Sequence, residues 1–347
     1  MPNKVLVGMS GGVDSTLSVH ILKDSGYETA GVNCLFCPGE STLLDVSDAE
    51  KAAEKAGIPF YALDLRADFS KNVISNFIST YECGGTPNPC IVCNKHLKFG
   101  AMLNKALEMG YDYIATGHYA RVAFDESTGR FLLKKGLDEK KDQSYFLYTL
   151  TQHQLSHTLF PLGEMTKDTV RKKAEDLGLI NAKKRDSQDI CFIPDGDYAA
   201  FIERNLGKTY PKGSFVSTDG RVLGEHQGII HYTVGQRKGL GIALGKPAFV
   251  RSIDPQNNTV TLCDNEELFS KEVTAKNINL ISVDSISEPM RVKAKIRYRH
   301  EAQWATVTQP DEDTLLVIFD EPQRAITKGQ ALVLYDGDTV VGGGEIE

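Results

Sequence analysis

The sequence predicts a doubly wound α/β domain followed by a small central module and a C-terminal β-barrel. Three observations carry this expectation. Over the first 120 residues, short β-type runs alternate with helical segments, the pattern of parallel strands joined by right-handed crossovers. Beyond about residue 205 the texture changes to Gly-rich, short β runs at strand-turn spacing, as in antiparallel modules and barrels. A chain of 347 residues has room for two or three domains with cores of their own.

Each element follows from local pattern. Lys4-Val-Leu-Val-Gly8 reads as a buried strand. Thr16–Lys23 places apolar residues at helical spacing and stops near Gly26. Thr29–Leu35 is a second strand, and the Ala/Glu/Lys-rich Val46–Ala56 a helix closed by Gly57-Ile-Pro59. Phe60–Leu65 is a third strand, Asp68–Thr80 a third helix and Lys95–Met109 a fourth, closed by Gly110. Tyr111–Gly117 is a fourth strand; helical patterns continue through Gln143–Leu155 and Lys167–Leu177. The later β runs are Gly228–Val234, Ala248–Ile253, Thr259–Leu262 and Asp313–Phe319. Ligands of a doubly wound sheet bind at the carboxyl ends of its strands.

Composition narrows the class. Hydrophobic residues make up 41% and charged residues 24%, which suits a globular protein and excludes a disordered, collagen-like or coiled-coil chain. No apolar run approaches a membrane span, and the apolar stretch at the N-terminus is too short for an export signal. A cytoplasmic protein with no membrane partner is expected. Lys plus Arg is 39 and Asp plus Glu 46, a net charge of −7, which on its own argues against a nucleic-acid partner.

Gly8-Met-Ser-Gly-Gly-Val-Asp-Ser15 sits between the first strand and the first helix. Gly11 and Gly12 allow close backbone approach to an anion. The N–H groups of the helix start face it, and the helix dipole adds about half a positive charge. Ser10 and Ser15 add hydroxyl donors, and Asp14 is placed to hold magnesium (Mg2+) on phosphate oxygens. An ordinary strand–helix turn would explain the glycines, but not the Ser-Gly-Gly-x-Asp-Ser unit. No Walker loop (Gly-x4-Gly-Lys-Ser/Thr) occurs, and no dinucleotide fingerprint stands here. The loop looks like the pyrophosphatase loop of adenylating enzymes, which place AMP on a substrate oxygen.

The seven cysteines are odd in number in a long chain, so reactive or metal-binding thiols are expected rather than a disulfide scaffold. Cys90-Ile-Val-Cys93 follows Thr86-Pro-Asn-Pro89 on an expected loop before a helix start, where thiol pKa is lowered. Cys34 and Cys37 form a second pair at the end of the second strand, and Cys191 lies far downstream. Cys83 and Cys263 read as small buried hydrophobes. A zinc site built from both pairs is disfavoured: 52 residues (38 to 89) separate Cys37 from Cys90, against ~15–20 in zinc ribbons.

These motifs, together with Asn94-Lys95, Ala115-Thr-Gly-His-Tyr119, Lys141-Asp-Gln-Ser-Tyr-Phe-Leu-Tyr148, Ala182-Lys-Lys, Asp186-Ser, Ile190-Cys-Phe-Ile193, Gly224-Glu-His-Gln-Gly228, Thr233–Gly241 and Phe319-Asp-Glu-Pro322, closely resemble the tRNA-specific 2-thiouridylases. The match is collinear from residue 4 to 346. The resemblance implies an adenine-nucleotide-hydrolase (PP-loop ATP pyrophosphatase) domain over 1–205, a central domain over 206–272 and a tRNA-contacting β-barrel over 273–347. It implies ATP-dependent adenylation of the wobble uridine C2 oxygen of tRNA, replacement by sulfur, and release of AMP and pyrophosphate. Cys93 falls at the nucleophile position and Cys191 at the persulfide carrier, and the two can pair transiently as a disulfide. ATP contacts fall on Gly8, Met9, Ser10, Gly11, Gly12, Val13, Asp14, Ser15, Cys34 and Gly117. Asn88, Pro89 and Cys90 surround the target base. Lys141, Asp142, Gln143, Arg297 and Tyr298 fall at tRNA contacts, with His118 and Gln330 nearby. A strand-end histidine is otherwise a packed one, but this strand ends where such sheets bind ligands.

One departure matters. Cys90 stands where most bacterial members of the resembled family carry Asp. Cys90, Cys93 and Cys191 then resemble the ligand set of tRNA thiolases that hold a 4Fe-4S cluster, an expectation that suits thiolate chemistry. The open iron of such a cluster would carry a hydrosulfide to the activated base; the alternative keeps a persulfide on Cys191 and leaves Cys90 a spare or resolving thiol, and the expected sulfur donor is a persulfide relay protein or free sulfide. An amide-forming synthetase sharing the loop would need an amine site and no cysteine pair. A non-catalytic redox or metal module would leave Gly8–Ser15 unexplained.

The −7 total also hides a local reversal. Arg291, Lys293, Lys295, Arg297 and Arg299 alternate; in a strand they share one face. Such a stripe suits phosphates, unless acids on a neighbouring strand pair with it. Arg171-Lys-Lys173 and Lys183-Lys-Arg185 are further basic runs.

Overall fold

The computed structural model describes residues 2–37, 40–179 and 190–347, with the backbone alone for 40–45. The motifs at 182–187 therefore lie outside the described residues. Strand β1 (Lys4–Gly8), helix α1 (Val13–Asp24), β2 (Glu28–Leu35), α2 (Glu40–Ala56) and β3 (Phe60–Asp64) alternate as expected. Helix α3 runs from Arg66–Phe69 through a π-turned segment Ser70–Ile74 to Ser75–Glu82. Helix α4 runs from Pro89–Cys93 through a second π-turned segment, Asn94–Ala101, to Met102–Glu108, and β4 is Tyr113–Ala115. The α4 start precedes the expected one: Pro at the first helical position is preorganised for helix and loses no needed N–H. Cys90 and Cys93 thus stand on the first turns of a helix, not on a loop.

Strands β5 (Ala120–Asp125) and β6 (Arg130–Lys135) form a hairpin absent from the sequence expectation. The helix expected over Gln143–Leu155 is divided into a 3₁₀ turn at Ser144–Leu147 and α5 at Gln152–Ser156. Thr151 opens α5 with a capping box to Gln154, which places a helix start inside the expected helix. β7 (Thr158–Leu159) and α6 (Lys167–Asp176) follow.

The parallel sheet has the order β3-β2-β1-β4-β7. Chain direction across the sheet reverses beside β1, so the switch point lies between β1 and β4. Val5, Leu6 and Val7 are each 1% exposed or less. Leu6 packs toward Phe99, Met102 and Leu103, and Val5 and Val7 toward Val19, Leu22, Ala49 and Ala53. A strand covered on both faces reads as a continuous apolar run, which is why β1 was legible.

Helix α7 (Tyr198–Leu206) leads to a second sheet of β8 (Gly213–Ser217), β9 (Val222–His226), β10 (Phe249–Asp254) and β11 (Thr259–Cys263), ordered β10-β11-β8-β9. The strand expected at Gly228–Val234 is instead a 3₁₀ turn over Ile229–His231. Gly228 adopts φ +119, a region closed to ordinary strand residues, and both isoleucines turn into one core with Phe215 and Val260.

Strands β12 (Phe269–Leu280), β13 (Met290–Lys295), β14 (Gln303–Asp311), β15 (Thr314–Arg324), β16 (Ala331–Asp336) and β17 (Thr339–Ile346) form the C-terminal antiparallel barrel, closed by pairing of β12 with β17. The β5–β6 hairpin reaches out of the α/β domain and joins this sheet through Thr339 and Lys134. Arg121 Nη2 on the hairpin donates to Asp338 Oδ2 at 2.8 Å, and Arg130 Nε to the Ile281 carbonyl at 2.8 Å. Among the described residues, no helix is long and apolar enough to cross a membrane.

Candidate active site

The Gly8–Ser15 loop connects β1 to α1 at the switch point. Gly11 takes φ +70, and Gly12 caps α1 with no side-chain acceptor on the first-turn N–H groups. Uncapped first-turn amides are the donors that helix starts offer to anions. Ser15 Oγ accepts from Ser10 N at 3.2 Å and donates to Gly12 O at 3.1 Å, tightening the loop. Met9 is tied to β2 on both sides: its N donates to Val32 O and its carbonyl accepts from Asn33 Nδ2, each at 2.7 Å. Gly117 closes the other wall. A Cβ there would stand 3.0 Å from Asp14 Cβ and 3.2 Å from Ser15 N, so the β4 end and the loop meet at a distance only glycine permits without movement.

Asp14 does not stand ready for a metal. Lys167 Nζ donates to Asp14 Oδ1 and Oδ2, each at 2.8 Å, and Tyr119 OH to Oδ1 at 3.2 Å. The ammonium takes the place on this carboxylate that Mg2+ was expected to take, so the residues in this arrangement do not fit the ion. Lys167 is 5% exposed. The sequence reading missed it, although a lysine in the first turn of a helix opposes the dipole and is itself a signal.

The thiols gather at the far side of the same strand ends. Cys93 is buried in a cluster with Leu65, Phe69, Val73 and Leu97, against which Cys34 and Cys37 pack. Cys90 and Cys191 are exposed. Phe36 and Phe192, the chain neighbours of Cys37 and Cys191, both pack on the Phe69 ring, at centroid separations of 5.4 and 5.5 Å. Burial pushes the Cys93 thiol up to about 12, and the Lys98 ammonium is the leading opposing influence. The surrounding protein also raises Cys90 and Cys191. This reverses the expectation of a lowered thiol pKa, because desolvation outweighs the helix N-terminus. Cys191 and Cys90 interact electrostatically with Cys93. Even so, among the described residues no three His, Cys, Asp or Glu side chains are gathered so as to hold a metal ion. The expected Cys90–Cys93–Cys191 ligand set is not assembled, and no step below passes through a cluster. Cys263 is buried as expected, whereas Cys83 is exposed at the end of α3.

The residues expected near tRNA divide. Asn88 and Pro89 form the start of α4, beside Cys90. Asp142 is 7% exposed and accepts from Gly136 N, Ser144 N and Ser144 Oγ at 3.0, 3.1 and 2.9 Å. Gln143 Oε1 accepts from Tyr119 N at 3.0 Å. These two side chains brace the protein itself. His118 packs between Phe99 and Phe160, with Nδ1 2.8 Å from Thr116 Oγ1, and burial holds its pKa well below the usual histidine value. Its ring is thus held among aromatic side chains at the end of β4. The five-cation face is also not formed. β13 ends at Lys295, Arg291 is paired to Asp320 of β15 at 2.8 Å, and Arg297 Nη2 turns inward to Thr327 Oγ1 at 2.8 Å and to the Ala325 carbonyl. Tyr298 packs on Phe146, 4.3 Å between ring centroids.

Comparison with known proteins decides the family. A tRNA methyl transferase HUP domain model matches residues 3–195, a tRNA methyl transferase PRC-barrel domain model 199–264 and an aminomethyltransferase beta-barrel domain model 270–346. The tRNA-specific 2-thiouridylase MnmA of Clostridioides difficile is 52% identical over 356 residues, covering 100% of this chain and 99% of its own. That of Acetivibrio thermocellus is 53% identical over 355 residues, covering 99% of each. The chain belongs to the tRNA-specific 2-thiouridylase family. As a tRNA 2-thiouridylase it is a sulfurtransferase acting on tRNA, of an ATP-using family. A solved U34-tRNA thiolase NcsA from Methanococcus maripaludis, with its 4Fe-4S cluster, shares 22% identity over 58% of this chain and 66% of its own at a TM-score of 0.36. That likeness carries no argument about the thiols of this 2-thiouridylase.

Proposed function

We propose that this 2-thiouridylase activates the wobble uridine of tRNA at Gly8–Ser15 and thiolates it with a sulfur carried on Cys191. The uracil C2 oxygen attacks the α-phosphorus of ATP, and pyrophosphate leaves. The uncapped amides of α1 and the Lys167 ammonium stabilise the phosphate charge. The terminal sulfur of a Cys191 persulfide then attacks C2 and AMP departs, leaving a Cys191–S–S–C2 bond. Cys93, as thiolate, attacks the Cys191 sulfur. The S–S bond breaks, 2-thiouridine leaves, and a Cys93–Cys191 disulfide forms. A thiol reductant returns it to two thiols. The observation that carries this reading is that Phe192, the chain neighbour of Cys191, packs on the Phe69 ring in the same apolar cluster that buries Cys93, so that two thiols 98 positions apart in sequence (191 − 93) are brought to one region. Lys98 favours the thiolate at both.

Lys141, Arg299 and the α4 start are the tRNA-facing groups in this reading, and the domains divide at 1–205, 206–272 and 273–347. The persulfide sulfur comes from the persulfide of a relay protein, whose cysteine leaves as the thiol when the Cys191 thiolate takes its outer sulfur, in the reducing cytoplasm where thiols persist. Cys93→Ala and Cys191→Ala should each abolish 2-thiouridine while tRNA-dependent pyrophosphate release continues, and the Cys191 peptide of charged enzyme should gain the mass of one sulfur. Thiolation surviving either substitution would overturn the assignment, as would activity that tracks iron and sulfide content in anaerobic protein.

A further inference from the structure

The barrel reaches back and grips the residues just before the catalytic helix. Gln330 Nε2 donates to the Thr86 carbonyl at 2.9 Å and the Pro87 carbonyl at 3.3 Å. Thr86 N donates in turn to the Lys328 carbonyl at 2.8 Å. Contact is close enough to need glycine on both sides. A Cβ on Gly329, where φ is +83, would stand 2.6 Å from Thr80 Cγ2, and one on Gly85 3.0 Å from the Lys328 carbonyl. The gripping segment is itself anchored: Ile346 N donates to Gln330 O at 2.8 Å and Gly329 N to Ile346 O at 2.9 Å.

Helix α4 has no cap of its own to do this work. Asn88 occupies its N-cap without a side-chain hydrogen bond, although Asn is among the best capping residues. The orientation of the chain entering α4 therefore comes from outside, through the two amide hydrogens of Gln330. On the other side, the segment is held by Arg297, whose guanidinium binds Thr327 Oγ1 and the Ala325 carbonyl. Gln330 N donates to the Thr327 carbonyl at 3.2 Å, so hydrogen bonds run from Arg297 through Thr327 and Gln330 to Thr86 and Pro87, the residues that lead into the first turn of α4.

We propose that Gln330 is a positioning residue: it sets the start of α4 from the barrel, so that tRNA seated on the barrel finds Cys93 in register with the activated base. This rests on the reading of Cys93 as the thiolating nucleophile. Gln330 acts through Thr86 and Pro87 and need not touch tRNA.

Gln330→Glu tests this in the full-length enzyme. The carboxylate keeps the shape but has no hydrogen to donate and faces two carbonyls. The kcat for 2-thiouridine formation should fall at least fivefold, with the Kd for tRNA changed less than twofold. Amide hydrogen exchange should accelerate over Thr86–Cys93 but not over β16 and β17. Were Gln330→Glu not to fold, Gln330→Met, apolar and similar in length, gives the same readouts. Weakened tRNA binding with kcat intact at saturation would overturn the proposal by making Gln330 a tRNA contact, and unchanged kcat and exchange would overturn it outright. Cys93→Ala run beside it separates the two readings: thiolation by Cys93→Ala removes the nucleophile assignment, whereas accelerated exchange in Gln330→Glu still measures the grip on α4.

Discussion

Asp14→Asn removes one charge from the pair at the floor of the phosphate cradle and leaves the shape. Lys167 Nζ lies 2.8 Å from both Asp14 oxygens, and the two side chains are 6% and 28% exposed. Removing one member of a fully buried pair costs about 3–5 kcal/mol, because the remaining charge stays out of water. Asp14 keeps part of its surface wet, so we expect the low end, about 3 kcal/mol. Lys167→Met should cost less, since the Asp14 carboxylate that remains is the wetter partner and keeps the Tyr119 hydroxyl. The double variant Asp14→Asn/Lys167→Met desolvates neither charge, and should recover most of the loss, about 2 kcal/mol of coupling. Urea unfolding of the four proteins measures this cycle, and tRNA-dependent pyrophosphate release measures function. The double variant should be stable and nearly inactive. Costs that simply add, with coupling below about 0.5 kcal/mol, would refute a stabilising pair. Full pyrophosphate release by the double variant would refute its place at the phosphates.

Gly117→Ala puts a methyl 3.0 Å from Asp14 Cβ; ATP affinity should drop about tenfold with tRNA affinity unchanged, measured by calorimetry. Alkylation of Cys93, whose thiol is pushed up to about 12, should keep accelerating from pH 7 to 10, because the thiolate fraction rises with pH until that value is passed; a plateau near pH 8 would contradict the buried thiol. Arg291→Ala should leave tRNA affinity within twofold and cost no more than about 1 kcal/mol, as its guanidinium is spent on exposed Asp320. Arg299→Ala should instead lower the salt dependence of tRNA binding by a log–log slope of about 0.7–0.9, and an unchanged slope would remove Arg299 from the phosphate contacts.

The elements legible in the sequence are those whose signal is local. β1 is an apolar run because both its faces are covered, and the Gly8–Ser15 loop stands out because glycine, hydroxyl and helix start occupy consecutive positions. The cysteines and collinear motifs were enough to point to the family. The β5–β6 hairpin pairs locally from Ala120–Lys135 to Asp125–Arg130, but its residues are mostly half-buried on both faces, so neither an apolar run nor a clean alternation marks it in the sequence. The 3₁₀ turn at Ile229–His231 has strand composition, but its isoleucines both face one core. The basic alternation from Arg291 to Arg299 was real as a pattern and misleading as a surface, since it gives no sign that the strand stops at Lys295 or that Asp320 waits on β15.

Charge and protonation were decided by tertiary neighbours. Sequence placed Cys93 on a loop just before a helix start, where thiol pKa is lowered, but burial beside Leu65, Phe69 and Leu97 raises it further than the dipole can lower it. Asp14 was legible as a carboxylate at the start of α1. That a lysine from α6, 153 positions later, neutralises it was not, because ion pairs between distant segments leave no spacing to read. The chemistry of the chain was written in short motifs; which of those groups are buried, paired or left exposed depended on contacts between segments far apart in sequence, as between Lys167 and Asp14 or Gln330 and Thr86.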